Sequence, residues 1–340
     1  MVEQLLSSNS TLIVTRTPLR ISFAGGGTDL PVFYEREGGA VLSATIDRWV
    51  YVILKRHSEL FFEPIRINYS ESEQVERIDE IENNIARECL RFLGVDPPIY
   101  ISTVGDVPAS TGLGGSSAFA VGLLNALHAY RGERVSPGQL AEEASHIEID
   151  VLKEPIGKQD QYAAAFGGLN LFSFNSDGGV TAQQQRLKNG DLKELFRHIM
   201  MFWTGHQRSA GEVLAEQRDN TERKLDTLRR MRDQAQELHR LLDNRSLDIP
   251  RVGSILDEGW QLKSQLASTI TNSVIDDWYR AALSAGALGG KLCGAGGGGF
   301  LLFLVPPERQ PAVRRALQDL TEMIVKPEVH GSRVVIPFNG

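Results

Sequence analysis

Cysteines and long apolar runs are scarce in this sequence, which excludes several kinds of site and segment. There are only two cysteines, Cys89 and Cys293, and their separation does not suit a zinc site or a redox dithiol, so we expect both to be core residues. The longest apolar run, Phe300–Val305, is far shorter than the roughly eighteen residues of a membrane-spanning helix and predicts a buried strand. Residues 1–10 contain no basic stretch followed by an apolar core, so we expect no secretory signal and a cytoplasmic protein.

Charge of one sign is not concentrated anywhere in the chain. The net charge of −7 is spread over 340 residues, and the arginines between 218 and 245 alternate with acidic residues, as on a solvated helical face. We therefore expect no nucleic acid as partner, the lack of a long apolar run predicts no membrane partner, and the sequence indicates no oligomeric state. The composition is that of a globular enzyme, and a change of character near residue 186 predicts two domains, 1–186 and 187–340.

Three common nucleotide-binding signatures are missing or misplaced. No Gly-Lys-Ser or Gly-Lys-Thr occurs, which excludes a P-loop. Neither His-Arg-Asp nor Asp-Phe-Gly occurs, which excludes a protein kinase. Gly294–Gly299 formally matches the dinucleotide fingerprint, but the strand-like run Phe300–Val305 follows it where that fingerprint requires a helix.

Residues 108–118 offer a strand, a glycine-rich turn and a helix start in that order. The run 99–104 predicts the strand, residues 112–115 supply the glycines, and helical apolar spacing follows. Glycines let backbone N–H groups approach an anion, and the first helical turn adds unpaired donors and partial positive charge. Ser116 or Ser117 could cap the helix or present a hydroxyl to a phosphate or a magnesium ion. The plainer alternative is a tight turn with a serine cap.

The rest of the chain mixes strands and helices. Strands are predicted at 12–14, 49–54, 169–174, 199–203 and 300–305, and helices at 80–93, 138–152, 157–166, 210–242, 252–266 and 274–285. These patterns predict an α+β protein but do not give its topology.

Three glycine-rich motifs follow one another at Arg20–Asp29, Pro108–Ala118 and Lys291–Phe300. In this order they resemble the signature motifs of the superfamily named for galactokinase, homoserine kinase, mevalonate kinase and phosphomevalonate kinase (GHMP). The resemblance implies a two-domain α+β fold with the active site in the interdomain cleft and a ferredoxin-like C-terminal domain. It also implies ATP as phosphate donor, with a nucleotide site at Pro108, Gly112, Leu113, Gly114, Gly115, Ser116, Ser117, Gly296 and Gly297.

An acidic pair lies between the second and third motifs. Phosphoryl transfer needs a divalent ion at the phosphates and a group that deprotonates the acceptor hydroxyl. The resemblance to galactokinase-like segments implies Glu148 as a Mg²⁺ ligand and Asp160, twelve positions later, as the base. The alternative for Glu148 is the exposed face of a helix, where Asp150 could compete for the metal.

The departure from the family pattern concerns the second loop. Where the family commonly reads Gly-Leu-Gly-Ser-Ser-Ala, this chain has one more glycine, Gly115. Without a gap the metal-contacting serine is Ser116, with Ser117 as the alternative. The resemblance also implies that Arg20 stabilises the transferred phosphoryl group or holds Asp160 ionised, the alternative being a sheet-edge arginine. Lys158 could add positive charge near the phosphates or simply be solvated.

The first motif indicates the acceptor. Gly26, Gly27, Thr28 and Asp29 are the implied sugar-binding residues, and the motif most resembles that of the D-glycero-D-manno-heptose 7-phosphate kinases, which phosphorylate the C1 hydroxyl. L-fucose kinases share part of the pattern, whereas galactokinases usually read Gly-Glu-His-Thr-Asp. A segment that includes Arg208 resembles the Tyr-Thr-Gly-x-x-Arg of the heptose kinases and could bind a remote phosphate; the alternative is a surface arginine at a helix start.

Two readings of other classes compete with a sugar kinase. Mevalonate diphosphate decarboxylases resemble the same fold and also use ATP, but their first motif is not of the sugar type. A catalytically silent sugar-binding regulator would have a damaged acidic pair or phosphate loop. Arg20, Ser116, Glu148 and Asp160 are all present, which favours an enzyme.

Overall fold

Two β-sheets with helices packed against them form the chain. The computed structural model describes residues 12–58, 60–185, 187, 191–207, 210–242 and 247–335. Within these ranges no helix has the length and apolar character needed to cross a membrane. The predicted α+β class is confirmed, and both cysteines are buried and unpaired in disulfides, as expected.

The first sheet has eight strands. They are β1 (Leu12–Ala24), β2 (Gly39–Arg56), β3 (Ile65–Asn68), β4 (Ser72–Val75), β5 (Ile99–Gly105), β6 (Leu169–Phe174), β7 (Val180–Gln184) and β12 (Arg333–Val335). The order is β12-β1-β2-β5-β3-β4, and β6 joins β2 and carries β7. From Thr17 to Ala24 every residue of β1 is buried, so the part of this strand that bears Arg20 is covered on both faces.

Helices cover the first sheet. They are α1 (Pro31–Glu37), α2 (Asn84–Leu93), α3 (Gly115–Tyr130), α4 (Pro137–Ser145) and α5 (Gln159–Phe166), with a 3₁₀ turn at Ile78–Glu80 and a π-helical turn at His146–Val151. Helix α3 packs on β1 and β2, and it is buried nearly all round because its residues are almost all apolar or small. It begins directly after Gly114, so its free N–H groups point toward the second glycine loop.

The second sheet has four antiparallel strands in the order β11-β8-β10-β9. These are β8 (Ile199–Trp203), β9 (Gly289–Leu292), β10 (Phe300–Leu304) and β11 (Thr321–Met323). The accompanying helices are α6 (Asp191–Arg197), α7 (Ala210–Asn220), α8 (Leu225–Leu242), α9 (Ile249–Lys263), α10 (Ser273–Ser284) and α11 (Gln310–Ala316), with a 3₁₀ turn at Thr221–Lys224. Helices separate β8 from β9, and α11 separates β10 from β11, which is the ferredoxin-like arrangement.

The two halves are in close contact. Helix α8 packs on β1 and β2, and Arg229 forms a bidentate ion pair with Glu37, with nitrogen–oxygen distances of 2.7 and 3.0 Å. The chain returns to the first sheet near its end, where β12 pairs with β1. The division of the chain into domains near residue 186 stays a prediction.

Most predicted elements are present, with local differences. The predicted strands at 99–104, 169–174, 199–203 and 300–305 are β5, β6, β8 and β10. The predicted helical region 210–242 is two helices joined by a 3₁₀ turn, and the predicted helix at 138–152 changes to π-helix after Ser145. A π-helical turn accommodates an extra residue, which redirects the side chains that follow.

Candidate active site

The three glycine-rich loops meet at a cleft of about 600 Å³ between the two sheets. Gly26 and Gly27 of the first loop, residues 114–117 of the second and Gly294 of the third all line it. Helix α7 contributes a further wall through Gln217. The volume lies in the range of small-molecule sites.

The second and third loops are in direct backbone contact. Gly112 has a φ of +82°, and a Cβ at this position would lie 2.5 Å from the carbonyl oxygen of Cys293. Only glycine is compatible with this approach, because any side chain would be strained and would collide with backbone. The third loop therefore constrains the shape of the second loop.

Arg20 and Asp160 form a bidentate ion pair at the floor of the cleft. Nε of Arg20 donates to Oδ1 of Asp160 at 2.7 Å, Nη2 donates to Oδ2 at 2.8 Å, and Nη1 donates to the carbonyl oxygen of Gly112 at 2.7 Å. The guanidinium is thereby fixed in a geometry that two oxygens of a carboxylate match well. Asp160 also lies against the second glycine loop, since a Cβ on Gly114 would be 3.4 Å from its Oδ2.

Glu148 is buried beside the start of α3. Its side chain projects from the π-helical turn, accepts from the Ser116 hydroxyl at 2.9 Å and from Nε2 of Gln161 at 2.6 Å, and also accepts from Ser117. Burial raises the pKa of Glu148 to about 7, against the opposing effect of these hydrogen bonds. The residue is 1% exposed, so the exposed-face alternative is wrong.

The oxygen groups around Glu148 fit a magnesium ion. Asp150, the possible competitor, is exposed and pairs with His146 at 2.9 Å. In the described part of the chain no group of three or more His, Cys, Asp or Glu could hold a metal ion. Mg²⁺, however, is commonly bound through one or two protein oxygens and completed by substrate phosphates and waters. A buried carboxylate next to serine hydroxyls at a phosphate loop has this chemistry, and both Ser116 and Ser117 are in place.

Asp29 is buried and lines the cleft. Its Oδ1 accepts from the N–H of Gly27 at 2.9 Å, and its Oδ2 accepts from Nε2 of Gln159 at 2.9 Å. Burial and then the charge of Asp160 raise the pKa of Asp29. The implied sugar-binding carboxylate and the implied base are therefore near enough to interact electrostatically.

Several residues implied by the resemblance support the loops and do not line the cleft. The Thr28 hydroxyl donates to the carbonyl oxygens of Gly25 and Ala40, at 2.8 and 3.0 Å, and these hydrogen bonds stabilise the first loop. The carbonyl of buried Leu113 accepts from the N–H of Arg20 at 3.1 Å. The structure thus corrects the expectation that Thr28 and Leu113 contact a ligand through their side chains: both support the loops instead.

The remaining implied residues lie at the edges or outside. Gly296 and Gly297 pack on Ile270, whose carbonyl accepts from the N–H of Gly297 at 2.8 Å, and Pro108 is exposed. Arg208 lies outside the described residues. Lys158 does not line the cleft; it donates to Glu142 at 3.2 Å and to the carbonyl of Gly178 at 3.0 Å, so it is not freely solvated.

Sequence reasoning missed several polar residues that line the cleft. Among them are Ser22, Gln159, Gln217, Lys263 and Lys291. Ser22 lies within the first motif, Gln159 lies beside Asp160, and Lys291 begins the third motif. Their positions in or next to the motifs could therefore have identified them as site residues. Gln217 and Lys263 lie on helices far along the chain, and only the fold brings them to the cleft.

The comparisons with known proteins agree with this geometry. Residues 80–168 match the GHMP kinases N terminal domain, and residues 231–321 match the GHMP kinases C terminal domain. The chain is 30% identical over 317 residues to D-glycero-alpha-D-manno-heptose 7-phosphate kinase of Campylobacter jejuni, covering 90% of this chain and 93% of the relative.

Solved structures show the same similarity. A D-glycero-D-manno-heptose 1-phosphate kinase from Bacteroides thetaiotaomicron superposes with a TM-score of 0.78 at 25% identity, over 96% of this chain and 100% of that one. A sugar kinase from Campylobacter jejuni superposes with a TM-score of 0.74 at 26% identity, over 97% of this chain and 99% of that one. The chain therefore belongs to the GHMP kinase family and is an ATP-dependent kinase.

Proposed function

We propose that the protein transfers the γ-phosphoryl group of ATP to the C1 hydroxyl of D-glycero-D-manno-heptose 7-phosphate, giving the 1,7-bisphosphate used for nucleotide-activated heptose. The observation that carries phosphoryl transfer is the position of Asp160, fixed by Arg20 and lying against Gly114 of the phosphate loop. The similarity to the heptose 7-phosphate kinase of Campylobacter jejuni supports the acceptor.

In this proposal Asp160 is the general base. It accepts the proton of the acceptor hydroxyl as the hydroxyl oxygen attacks the γ-phosphorus, and Arg20 holds the carboxylate in place. The first turn of α3 and the glycine loop before it bind the phosphates of ATP through backbone N–H groups. Because Asp160 and these donors share one cleft, the acceptor and the phosphoryl group can meet in it.

Buried polar atoms without partners support an acceptor rich in hydroxyl groups. Within the described chain, Oγ of Ser22, Oε1 of Gln159 and Nε2 of Gln217 are buried and have no hydrogen-bond partner. Each unpaired buried group costs about 1–3 kcal/mol, which a ligand hydroxyl can recover by pairing with it. Together with Asp29 they offer both donors and acceptors, as recognition of a sugar requires.

Magnesium binding belongs to the same proposal. Glu148 and Ser116, or Ser117, would hold the ion next to the phosphates of ATP. A bound Mg²⁺ would neutralise charge on the β- and γ-phosphates. The protein itself contributes the buried carboxylate of Glu148 and the hydroxyls of Ser116 and Ser117 that contact it.

Glu148→Gln and Ser116→Ala should each raise the Mg²⁺ concentration needed for half-maximal activity, because each removes an oxygen ligand. The measurement is a titration of initial rate against Mg²⁺ at fixed ATP. Asp150→Asn is the matched control, since this carboxylate is exposed and paired with His146. Titration curves of both variants that overlay the parent would show that neither residue is a ligand.

Arg208 is proposed to bind the remote phosphate of the acceptor. Arg208→Ala should raise the KM of the phosphorylated sugar by about tenfold to a hundredfold, because a charge-assisted contact is worth about 1.5–3 kcal/mol, and should leave the KM of ATP nearly unchanged. The unphosphorylated heptose should respond little. If parent and variant show the same preference for phosphorylated over unphosphorylated sugar, Arg208 is not the anchor.

Two broader expectations remain part of the proposal. The first is the division into domains 1–186 and 187–340, supported by the strands of the second sheet, which all follow residue 187. The second is a cytoplasmic location, where ATP is available.

The position of transfer is tested by ³¹P–¹H correlation in the NMR spectrum of the product: coupling of the new phosphate to the anomeric proton supports C1, and coupling to any other proton contradicts it.

A further inference from the structure

Three cationic side chains line the described part of the cleft: Arg20, Lys263 and Lys291. Arg20 is engaged, because Nε, Nη1 and Nη2 each donate to Asp160 or Gly112. Lys263 is engaged as well, since its ammonium donates to the carbonyl oxygens of Leu292 and Gly294. Lys291 forms no hydrogen bond or ion pair with any residue that the structure describes, although it is only 7% exposed.

The strand geometry explains why Lys291 faces the cleft. Lys291 pairs directly with Leu302, whose side chain packs in the hydrophobic core shared with the first sheet, and directly paired residues project from the same face. Its neighbour Leu292 projects from the other face, into the core of the second sheet. Lys291 therefore points toward the interface between the sheets, directly before the third glycine loop.

Such a position is unfavourable without a ligand. Burial lowers the pKa of Lys291 to about 8 and that of Lys263 to about 7. The charge of Arg20 lowers both pKa values further, and the charge of Lys291 also lowers that of Lys263. The other groups facing them are Cys293, which acts on both lysines, and Asp29, which acts on Lys263. Replacing an unpaired buried cation by an apolar side chain usually stabilises a protein, so the presence of Lys291 at this position requires another explanation.

We propose that Lys291, backed by Lys263, is a cationic subsite that binds a phosphate dianion of a substrate within the cleft. The expected ligand group is the phosphoryl group being transferred. Arg20, which lies between Asp160 and the phosphate loop, acts electrostatically on both lysines, and Gly294, whose carbonyl binds Lys263, belongs to the loop that contacts Gly112.

The subsite also completes the charge balance of the proposed reaction. Because the donors of Arg20 are committed to Asp160 and Gly112, Lys291 is the side-chain cation that can act together with the proposed Mg²⁺ on the charge of the transferred group. A desolvated ammonium inside the cleft interacts with a phosphate more strongly than an exposed one. The inference rests on the proposed function only for the identity of the sugar, since the nucleotide part follows from the family.

The test uses Lys291→Met, which keeps the length of the side chain and removes its charge. Dissociation constants are measured by calorimetry for ADP and for the non-hydrolysable analogue AMP-PNP, each with Mg²⁺, and for the heptose with and without its 7-phosphate. We expect the preference for AMP-PNP over ADP to fall by about tenfold or more relative to the parent. The melting temperature of the free variant should be unchanged or higher, because a buried charge is removed.

The second pair of ligands identifies the source of the phosphate. If the preference for phosphorylated over unphosphorylated sugar falls instead, the subsite stands and binds the phosphate of the acceptor. If both preferences equal those of the parent, or if all four ligands weaken equally while the melting temperature drops, Lys291 is structural and the proposal is overturned. Lys193→Met, at an exposed lysine of α6, is the matched control. A reduced AMP-PNP preference in a protein that phosphorylates no heptose would keep the subsite and reject the proposed acceptor.

Discussion

Asp160→Asn is expected to lower kcat by about three orders of magnitude, within the range of 10²–10⁴ that general base catalysis contributes. The amide cannot accept the proton of the acceptor hydroxyl, but it has nearly the shape of the carboxylate and retains an oxygen for Arg20. The dissociation constant of AMP-PNP should change little, because the nucleotide is bound by the loop and the start of α3. Steady-state kinetics and calorimetry measure the two quantities separately.

The matched control for this experiment is Asp150→Asn. Asp150 lies in the same segment of the chain, is exposed and pairs with His146, so its loss should leave kcat near that of the parent. An Asp160→Asn variant with near-normal kcat would reject the assignment of the base. A variant that loses AMP-PNP binding together with kcat would instead show that Asp160 maintains the phosphate loop.

Arg20→Lys is expected to lower kcat by about a hundredfold. Lysine keeps the positive charge but cannot form the two parallel hydrogen bonds to Asp160 and the third to the carbonyl of Gly112. The carboxylate would then lose its fixed orientation, and misplacement of about 1 Å can cost a factor of about 10². The KM of ATP should change much less than kcat.

A double-mutant cycle tests whether the two residues act as a unit. The variant with both Arg20→Lys and Asp160→Asn should be about as slow as Asp160→Asn alone, because Arg20 acts by orienting the carboxylate. Arg16→Lys, on the same strand but stacked on Trp49 outside the cleft, is the control and should keep its activity. If the effects of the two substitutions multiply in the double variant, Arg20 acts on the phosphoryl group independently of Asp160.

Much of the fold and of the candidate site could be predicted from sequence. The strands β5, β6, β8 and β10 carry continuous or alternating apolar residues, which is a local signal. Arg20, Glu148 and Asp160 lie in motifs whose spacing is itself characteristic. Their mutual geometry then follows from the family fold, which places β1, the π-helical turn and α5 around the start of α3.

The rest depends on contacts between distant parts of the chain. Gln217 and Lys263 belong to helices whose sequences show only an ordinary mixture of polar and apolar residues, so nothing local marks them. The π-helical turn that buries Glu148 was missed because the apolar spacing around it is still nearly helical. Thr28 was assigned to the substrate because its motif faces the acceptor, but hydrogen bonds to Gly25 and Ala40 occupy its hydroxyl.

The most direct test of the proposed function is a comparison of kcat/KM across acceptors with ATP as donor. Heptose 7-phosphate, the unphosphorylated heptose, L-fucose, galactose, mannose and mevalonate should be assayed by ADP release. We expect heptose 7-phosphate to have the highest kcat/KM, exceeding that of the unphosphorylated heptose by about tenfold or more, since a charged contact is lost without the phosphate. Highest activity on fucose or another unphosphorylated sugar, or no activity on any of these acceptors, would contradict the proposed function.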